Sequence, residues 1–255
     1  AGCEYCFAEI SSHSVVQNRI YGLNFSGGIF TNLTHDHLDY HKSFSEYLKA
    51  KKIFFDTLLK DSFALINTDD KNGSVLVQNT KATISTYALK RFADFKVKIM
   101  ESHIDSMLLN INGTEIWTLL TGIFNAYNLC AVYATALLMG VQAEEVLQKL
   151  SNLTSVKGRF ETIKKHGITA IIDYAHTPDA LKNVLITIND IKSKQSKLIT
   201  IIGAGGNRDK SKRPLMAKIA ESQSDKVILT SDNPRNENPD TIIDDMYTGL
   251  SLIHI

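Results

Sequence analysis

The sequence has few cysteines, few prolines and no long apolar run, and each shortage excludes a class of protein. Its 255 residues include three cysteines and four prolines. An odd, small number of cysteines argues against a disulfide scaffold and for a reducing compartment, so we expect a cytoplasmic protein. No stretch approaches the roughly 18 apolar residues of a membrane span, and no signal sequence is recognisable, so we expect no membrane insertion.

An excess of charge of one sign is also missing. Lysine and arginine total 28 and the acidic residues 27, which gives a formal net charge of +1. Such a balance provides no general attraction to nucleic acid, so we expect no nucleic-acid partner, and any anion site must be local. The 44% apolar and 22% charged residues are typical of a globular protein with one large or two ordinary domains.

Common metal and phosphate signatures are absent or incomplete. The Walker pattern G-x-x-x-x-G-K-[ST] occurs nowhere, and "GAGGNR" at residues 203–208 does not meet G-x-G-x-x-G. Cys3 and Cys6 form a C-x-x-C, but a zinc site needs a second ligand pair, which Cys130 alone does not supply. We interpret Cys6 as part of an apolar strand, "YCFAEI".

Short apolar runs alternate with helical patterns, which predicts an α/β fold. In the first part, "YCFAEI", "GGIFTNL" and "SFALINTDD" predict strands, and "SFSEYLKAKKIFFDTLL" predicts a helix capped by Ser43. Residues 83–120 alternate repeatedly, which predicts antiparallel strands around a turn at Asn112 and Gly113. The helices that follow are "NAYNLCAVYATALLMG", ending at Gly140, and "AEEVLQKL".

The pattern breaks over residues 151–158, and we place a domain boundary near residue 156. A second α/β series follows, with strands "ITAIIDYA", "KLITIIGAGG" and "KVILTS" and helices "PDALKNVLITIND", "RPLMAKIAES" and "PDTIIDDMY". Pro178 suits the first turn of its helix. The final "LSLIHI", residues 250–255, resembles a translated sequencing adapter, so we expect a non-native tail on an internal piece of a longer protein.

Polar side chains cluster after the first two predicted strands. Glu9 lies where α/β sheets place ligand-binding groups, and the neighbouring Ser11, Gln17 and Arg19 suit a phosphate or a carboxylate. "TNLTHDHLDYH" holds three histidines and two aspartates, which are either metal ligands or a solvated loop. The next helix carries Lys49, Lys51 and Lys52. Either all three are surface lysines, or one of them points inward and needs an anionic partner.

Further clusters follow at helix starts. Asn125 and Asn128 share one helix face. They either cap the helix or bind a purine or a ribose through their side-chain amides. Asp173 follows a strand, where a carboxylate accepts ribose hydroxyls, and Arg159 lies at the domain boundary. The glycine loop offers N–H groups to an anion beside four cations: Arg208, Lys210, Lys212 and Arg213.

In this order, the motifs resemble the Mur ligases of bacterial cell-wall synthesis, from about Cys6 to Met246. The motifs are "SSHSVVQNR", "TNLTHDHLDYH", "YLKAKK", "NAYNL", "GRFE", "DYAHTPDAL", "GAGGNRDKSKRPLM" and "DNPRNENP". The resemblance implies a partial central ATPase domain over residues 1–155 and a partial Rossmann-like C-terminal domain over 156–249. It also implies that the N-terminal domain, the phosphate loop and the distal C-terminus are missing, and that this chain alone is inactive.

The resemblance further implies an ATP-dependent amide ligase that works through an acyl phosphate, with Mg²⁺, or Mn²⁺ in its place. The substrates would be UDP-N-acetylmuramoyl-L-alanyl-D-glutamate and meso-diaminopimelate, and the enzyme a cytoplasmic monomer. It assigns Glu9, His37 and Lys51 to catalysis and metal binding, with Lys51 carbamylated by carbon dioxide. Lys51 is chosen because it lies ten residues after His41, as in the family pattern.

The remaining assignments implied by the resemblance concern three substrates. They are, for the muramoyl dipeptide, Ser11, Gln17 and Arg19; for the nucleotide, Asn125, Asn128, Arg159 and Asp173; and for the amino acid, Arg208, Asp232, Asn233, Pro234 and Arg235. The prolines stiffen the stretch "TSDNPRNENPD", so the Arg235 guanidinium can bind the second carboxylate of diaminopimelate through two parallel hydrogen bonds and reject the ammonium of lysine.

Other interpretations stay open from the sequence. The chain could belong to a ligase that adds L-lysine, or to a folylpolyglutamate or cyanophycin synthetase of the same architecture. It could instead be a non-catalytic anion-binding module with "GAGGNRDKSKR" as its site, or a hydrolase that uses the His/Asp cluster.

Overall fold

The computed structural model describes residues 2–33 and 43–251. His37 and most of the expected tail, residues 252–255, therefore lie outside the described residues. The chain divides into two compact units, the first comprising Ala1–Lys98, Ile111–Thr114 and Tyr127–Gln148 and the second Ile99–Asn110, Glu115–Ala126 and Lys149–Ile255. None of the described helices is long and apolar enough to cross a membrane.

Helices and strands alternate over residues 12–88, as predicted, and a run of strands follows. The first six strands are hydrogen-bonded in chain order. In chain order, the elements are α1 (Ser12–Val16), β1 (Gly27–Phe30), α2 (Phe44–Asp56), β2 (Phe63–Asn67), α3 (Gly73–Leu76), β3 (Thr83–Ala88), β4 (Phe95–Ser102), β5 (Met107–Ile111), β6 (Thr114–Thr118), α4 (Ile123–Leu138) and α5 (Ala143–Ser151).

The direction predicted for residues 83–120 is wrong at its first strand. β3 pairs in parallel with β2, from Phe63↔Thr83 to Asn67↔Tyr87, and in parallel with β4 at Tyr87↔Phe95. The alternation of apolar and polar residues indicates which face of a strand is buried. It does not indicate the direction of the strand, which here depends on the crossover through α3 between β2 and β3. The predicted turn at Asn112 and Gly113 is confirmed, with φ of 47° and 97° between β5 and β6.

The prediction of a strand at "YCFAEI" is also wrong. Residues 5–10 form no strand, and Tyr5 and Phe7 are 60% and 73% exposed. A strand needs a neighbour to accept its ladder hydrogen bonds, and the strand orders found in the described part of the chain include none beside this segment. Glu9 therefore follows an unpaired, exposed stretch instead of a strand end.

The core of the first unit lies between its sheet and α2. Ser43 caps α2 by accepting the Glu46 N–H at 3.2 Å, as predicted. A Cβ at Gly28 would come within 2.8 Å of the Phe54 ring, so the bare backbone of β1 lets α2 pack closely. The buried residues of this core include Phe30, Tyr47, Phe54, Phe55, Leu58, Ile66 and Leu76.

Asp69, directly after β2, joins three parts of the first unit. Its carboxylate accepts the N–H groups of Leu89, Lys90 and Arg91 and the hydroxyl of Tyr127 on α4, all at 2.8 Å. Burial alone would raise the pKa of Asp69, but these four donors together lower it below its ordinary value. The carboxylate therefore fixes the loop after β3 and the start of α4.

The second unit contains a hairpin and a parallel pair of strands with helices. Its later elements are β7 (Glu161–Lys165), β8 (Ile168–Ile172), α6 (Pro178–Ile191), β9 (Ile199–Ile202), α7 (Lys212–Gln223), β10 (Lys226–Leu229) and α8 (Pro239–Tyr247). β9 and β10 are parallel. The core between these two strands and helices α6, α7 and α8 is formed mainly by Leu181, Leu185, Ile202, Met216, Ala217, Ala220, Ile242 and Met246.

The sequence prediction missed β7. This strand pairs antiparallel with β8 through a two-residue turn at His166 and Gly167, whose φ values are 50° and 75°. The glycine after a polar residue was the available signal for such a turn. The start of α6 agrees with the prediction, because Pro178 occupies its first turn and Thr177 accepts the Ala180 N–H at 3.3 Å.

Candidate functional site

The predicted dipeptide-binding residues lie on α1 and its C-terminal turn. Ser11 is the N-cap and accepts the Ser14 N–H at 3.1 Å, while its hydroxyl can still donate its own proton. The helix stops at Asn18, which has φ 55°, and the Arg19 N–H returns to the Ser14 carbonyl at 2.8 Å. Gln17 and Arg19 are exposed at this helix end.

The three lysines of α2 have different surroundings. Lys49 is exposed, and Lys52 pairs with Asp56 at 2.5 Å. Lys51 lies with its Nζ 5.5 Å from the centroid of the buried Tyr47 ring. Since α1 packs against α2, Lys51 is on the helix that supports the candidate dipeptide site.

Two of the predicted nucleotide residues lie close together in the second unit. Asp173 accepts the Phe160 N–H at 2.8 Å, and the Arg159 guanidinium lies 4.8 Å from the Tyr174 ring centroid. Phe160 has φ 48° and is buried, so the chain turns sharply at this point. These contacts join "GRFE" to "IIDYAH".

A small cavity adjoins the same turn. It measures about 180 Å³ and includes Asn125, Phe160, Leu119 and Thr121 in its lining. Asn125 also donates its amide N–H to the Thr121 carbonyl at 2.8 Å, so it has a structural role as well. Asn128 is exposed on α4, one turn after Asn125.

Two loops at the ends of β9 and β10 pack directly on each other. We call residues 203–207 the glycine loop and residues 230–238 the proline loop. The Gly206 N–H donates to the Asn233 carbonyl at 2.9 Å, and the Gly206 carbonyl accepts from Arg235 Nη1 at 2.7 Å. A Cβ at Gly206 would overlap the Pro234 carbonyl, so glycine is needed here for the close approach of two backbones.

The anion position predicted at the glycine loop is filled by the chain's own Glu237. Its carboxylate accepts the Asn207 N–H at 2.5 Å and pairs with Arg213 at 2.9 Å and Lys210 at 3.3 Å. Arg213 and the Asn207 N–H lower the pKa of Glu237 to about 2. The expected free patch of four cations is therefore wrong for Arg213 and Lys210, because both are paired with this carboxylate.

Arg213 is fully buried and connects four segments. Its Nη1 donates to Glu237 at 3.0 Å and to Asp245 on α8 at 2.7 Å, and its Nη2 donates to Glu237 and to the Gly205 carbonyl at 3.4 Å. The sequence reasoning missed this role and that of Glu237. The available signal was position, because Arg213 begins the buried stripe that continues with Met216, Ala217 and Ala220.

The predicted amino-acid residues surround this pair of loops. Arg235 is exposed and has φ 50°, and its N–H donates to the Asn233 side chain at 3.2 Å. Asp232 approaches the glycine loop, since a Cβ at Gly203 would lie 3.1 Å from its Cβ. Arg208 is exposed, one residue beyond the glycine loop.

Comparison with known families accounts for both units. The family model "Mur ligase middle domain" matches residues 1–136, and the model "Mur ligase, glutamate ligase domain" matches residues 158–255. The chain belongs to the Mur ligase family. Its α/β fold and the resemblance inferred from the motifs are thereby confirmed.

Curated relatives of this Mur ligase chain carry a more specific name. A UDP-N-acetylmuramoyl-L-alanyl-D-glutamate–2,6-diaminopimelate ligase of Parabacteroides distasonis is 62% identical over 98% of this chain and 52% of its own length. The ligase of the same name from Cytophaga hutchinsonii is 57% identical over 99% of this chain and 52% of its length. The chain thus spans about half the length of the curated relatives it matches.

Solved structures agree with the fold. A UDP-N-acetylmuramoyl-L-alanyl-D-glutamate–2,6-diaminopimelate ligase matches with a TM-score of 0.63 at 32% identity, over 96% of this chain and 52% of the solved one. A pseudomurein peptide ligase type C from Methanothermus fervidus gives a TM-score of 0.71 at 19% identity, over 95% and 54% of the two chains. The second comparison concerns the fold alone.

The packing of the two loops predicts different effects for two adjacent glycines. Gly206→Ala should destabilise the second unit by about 1–3 kcal/mol, because its Cβ would overlap the Pro234 backbone. Gly205→Ala is the matched control, since its Cβ would meet the far end of the Arg235 side chain, at 2.9 Å, and no backbone atom as closely. Urea denaturation followed by Trp117 fluorescence measures the difference, and equal stabilities of the two variants would contradict the close backbone packing.

Proposed function

We propose that this chain is part of an ATP-dependent amide ligase that adds meso-diaminopimelate to UDP-N-acetylmuramoyl-L-alanyl-D-glutamate. The main support is the proline loop, which presents the Arg235 guanidinium beside the Gly206 carbonyl. The names of the relatives that are 62% and 57% identical support the same substrates. The two family-model matches, which leave residues 137–157 between them, support a domain boundary near residue 156.

The arrangement around Phe160 suits a nucleotide. The cavity of about 180 Å³ is below the ~300–1,000 Å³ typical of sites for whole drug-sized ligands, so it fits one ring system better than a complete nucleotide. Asn125 would contact the base, and Arg159 and Asp173 would hold the rest of ATP. Asn128, which belongs to the first unit, stays a prediction for nucleotide binding. ATP supplies the phosphoryl group that activates the carboxylate of the dipeptide substrate.

The proposed metal ligands are Glu9, His37 and Lys51 in its carbamate form. Among residues 2–33 and 43–251 no group of three or more His, Cys, Asp or Glu side chains is placed to hold a metal. His37 lies outside the described residues, and Lys51 would become an anion only after reaction with carbon dioxide. The carboxylate of Glu9 and the carbamate of Lys51 would supply oxygen ligands, which fit Mg²⁺ or Mn²⁺, and His37 would add one nitrogen; the metal would neutralise the charge of phosphates and carboxylate.

Lys51 is the best candidate for carbamylation among the three lysines of α2. Lys49 is exposed to solvent, and the ammonium of Lys52 is engaged by Asp56. The position of Lys51, ten residues after His41 as in the family pattern, favours it for the carbamate.

The proposed division of labour follows from these positions. Ser11, Gln17 and Arg19 would hold the muramoyl dipeptide, with the arginine binding an anionic group. Asp232, Asn233, Pro234 and Arg208 would shape the pocket for the amino acid, and Arg235 would bind its distal carboxylate. The amine of the amino acid then attacks the acyl phosphate, and the tetrahedral intermediate collapses to the amide with release of phosphate.

The competing functions fit the structure less well. A non-catalytic anion-binding module would need the glycine loop free, whereas Glu237 fills that position. The likeness to a folylpolyglutamate synthase from Thermotoga maritima, at 14% identity, concerns the fold alone. An L-lysine-adding ligase would bring an ammonium to the Arg235 guanidinium, which repels it.

Amino-acid use tests the proposed function. The assay uses a chimera in which residues 1–249 replace the matching segment of the Parabacteroides distasonis relative. We expect phosphate release that requires ATP, the muramoyl dipeptide and meso-diaminopimelate, and Arg235→Ala should raise the KM for diaminopimelate about 10- to 100-fold by removing charged hydrogen bonds. Equal use of L-lysine, or turnover driven by folate and glutamate, would contradict the proposal.

A second prediction concerns Lys51. In the same chimera, Lys51→Ala should lower kcat about 100-fold or more, because a metal-binding anion is lost. Short carboxylic acids such as formate should restore part of the activity, and Lys49→Ala is the control, with activity near that of the parent. Full activity of Lys51→Ala would exclude a role for its carbamate.

A further inference from the structure

Glu237 joins the glycine loop to the proline loop through both its side chain and its backbone. The carboxylate accepts the Asn207 N–H and both terminal nitrogens of Arg213, and the Glu237 N–H donates to the Pro234 carbonyl at 3.0 Å. The Asn236 N–H adds a bond to the Asn207 side chain at 3.0 Å. One residue outside the "DNPR" motif therefore determines where that motif lies.

Arg213 provides the fixed support for this carboxylate. A fully buried guanidinium is stable only with charged partners, and here it faces Glu237 and Asp245. Its planar fork bonds both oxygens of Glu237, at 3.0 and 2.9 Å, which fixes the orientation of the carboxylate as well as its distance. Because Arg213 lies in the first turn of α7, the ion pair fixes the proline loop to a helix of the core.

Arg235 needs such support because its backbone is strained. Its φ of 50° is unfavourable for a residue with a side chain, and such conformations persist only where the surroundings enforce them. Glu237 lies two residues further on and holds the Pro234 carbonyl, while Asn233 holds the Arg235 N–H. If Glu237 were released, Arg235 could return to an ordinary φ and its guanidinium would leave the Gly206 carbonyl.

We propose that Glu237 and Arg213 are positioning residues that determine amino-acid specificity by holding the Arg235 guanidinium at the glycine loop. This inference rests on the proposed function, since it assumes that Arg235 recognises the distal carboxylate of the amino acid. Neither residue contacts the substrate. They act through the proline loop, and their loss should therefore affect the amino acid and leave ATP and the dipeptide unaffected.

The test compares Glu237→Gln with Asp244→Asn in the chimera described above. Both changes neutralise one carboxylate, but Glu237 lies in the proline loop and pairs with Arg213, whereas Asp244 is exposed on α8. We expect Glu237→Gln to raise the KM for meso-diaminopimelate about 10- to 100-fold, because a small displacement of a binding group is costly, with the KM for ATP unchanged. The double variant with Arg213→Met and Glu237→Gln should raise the KM for diaminopimelate no more than the more damaging single change does. Both changes remove the same Arg213–Glu237 ion pair.

Hydrogen exchange measured on the chain itself tests whether the Arg213–Glu237 ion pair holds the proline loop, independently of which amino acid the enzyme uses. In Glu237→Gln the amides of Asn207, Arg235 and Asn236 should exchange faster, because their hydrogen bonds depend on this contact, while those of β9 keep their rates. Unchanged exchange at these amides, an unchanged KM for diaminopimelate, or an equal rise in all three substrate KM values would overturn the inference. If the parent chimera does not use diaminopimelate, the proposed function fails. The exchange rates alone then decide whether the Arg213–Glu237 ion pair holds the proline loop.

Discussion

A buried arginine with two carboxylate partners organises the second unit of this Mur ligase chain. Arg213 cannot stay charged inside the protein without Glu237 and Asp245, so the proline loop and α8 must come to it. The two loops after β9 and β10 are thereby brought into backbone contact. The positions of the residues proposed to bind the amino acid depend on this contact, although Arg213 and Glu237 are not among those residues.

The glycines of "GAGG" serve this packing. A glycine loop between a strand and a helix usually suggests a phosphate site, and the cations that follow it strengthen that impression. Here the Gly206 and Asn207 N–H groups are bonded to the proline loop, and the negative charge comes from Glu237. In this chain the motif forms a pair of interlocking loops, with Arg213 buried beneath the chain surface and Arg208 exposed.

Local signals in the sequence predicted local structure well. Ser43 and Pro178 marked the starts of α2 and α6, and Asn112 with Gly113 marked the β5–β6 turn. The direction of β3 and the unpaired state of residues 5–10 depend on which strands become neighbours, and residue alternation carries no such information. The pairing of Arg213 with Glu237 joins residues 24 positions apart, and the sequence analysis missed it because local spacing does not show which distant side chains meet.

The central claim is that the proline loop and the glycine loop form a site for an amino acid with a second carboxylate. Nuclear magnetic resonance titration of the ¹⁵N-labelled chain with meso-diaminopimelate and with L-lysine tests it most directly. Our account predicts that diaminopimelate shifts the amides of Gly206, Asn207, Arg235 and Asn236, and that lysine leaves them in place. Equal shifts with both amino acids, or shifts confined to other parts of the chain, would contradict it.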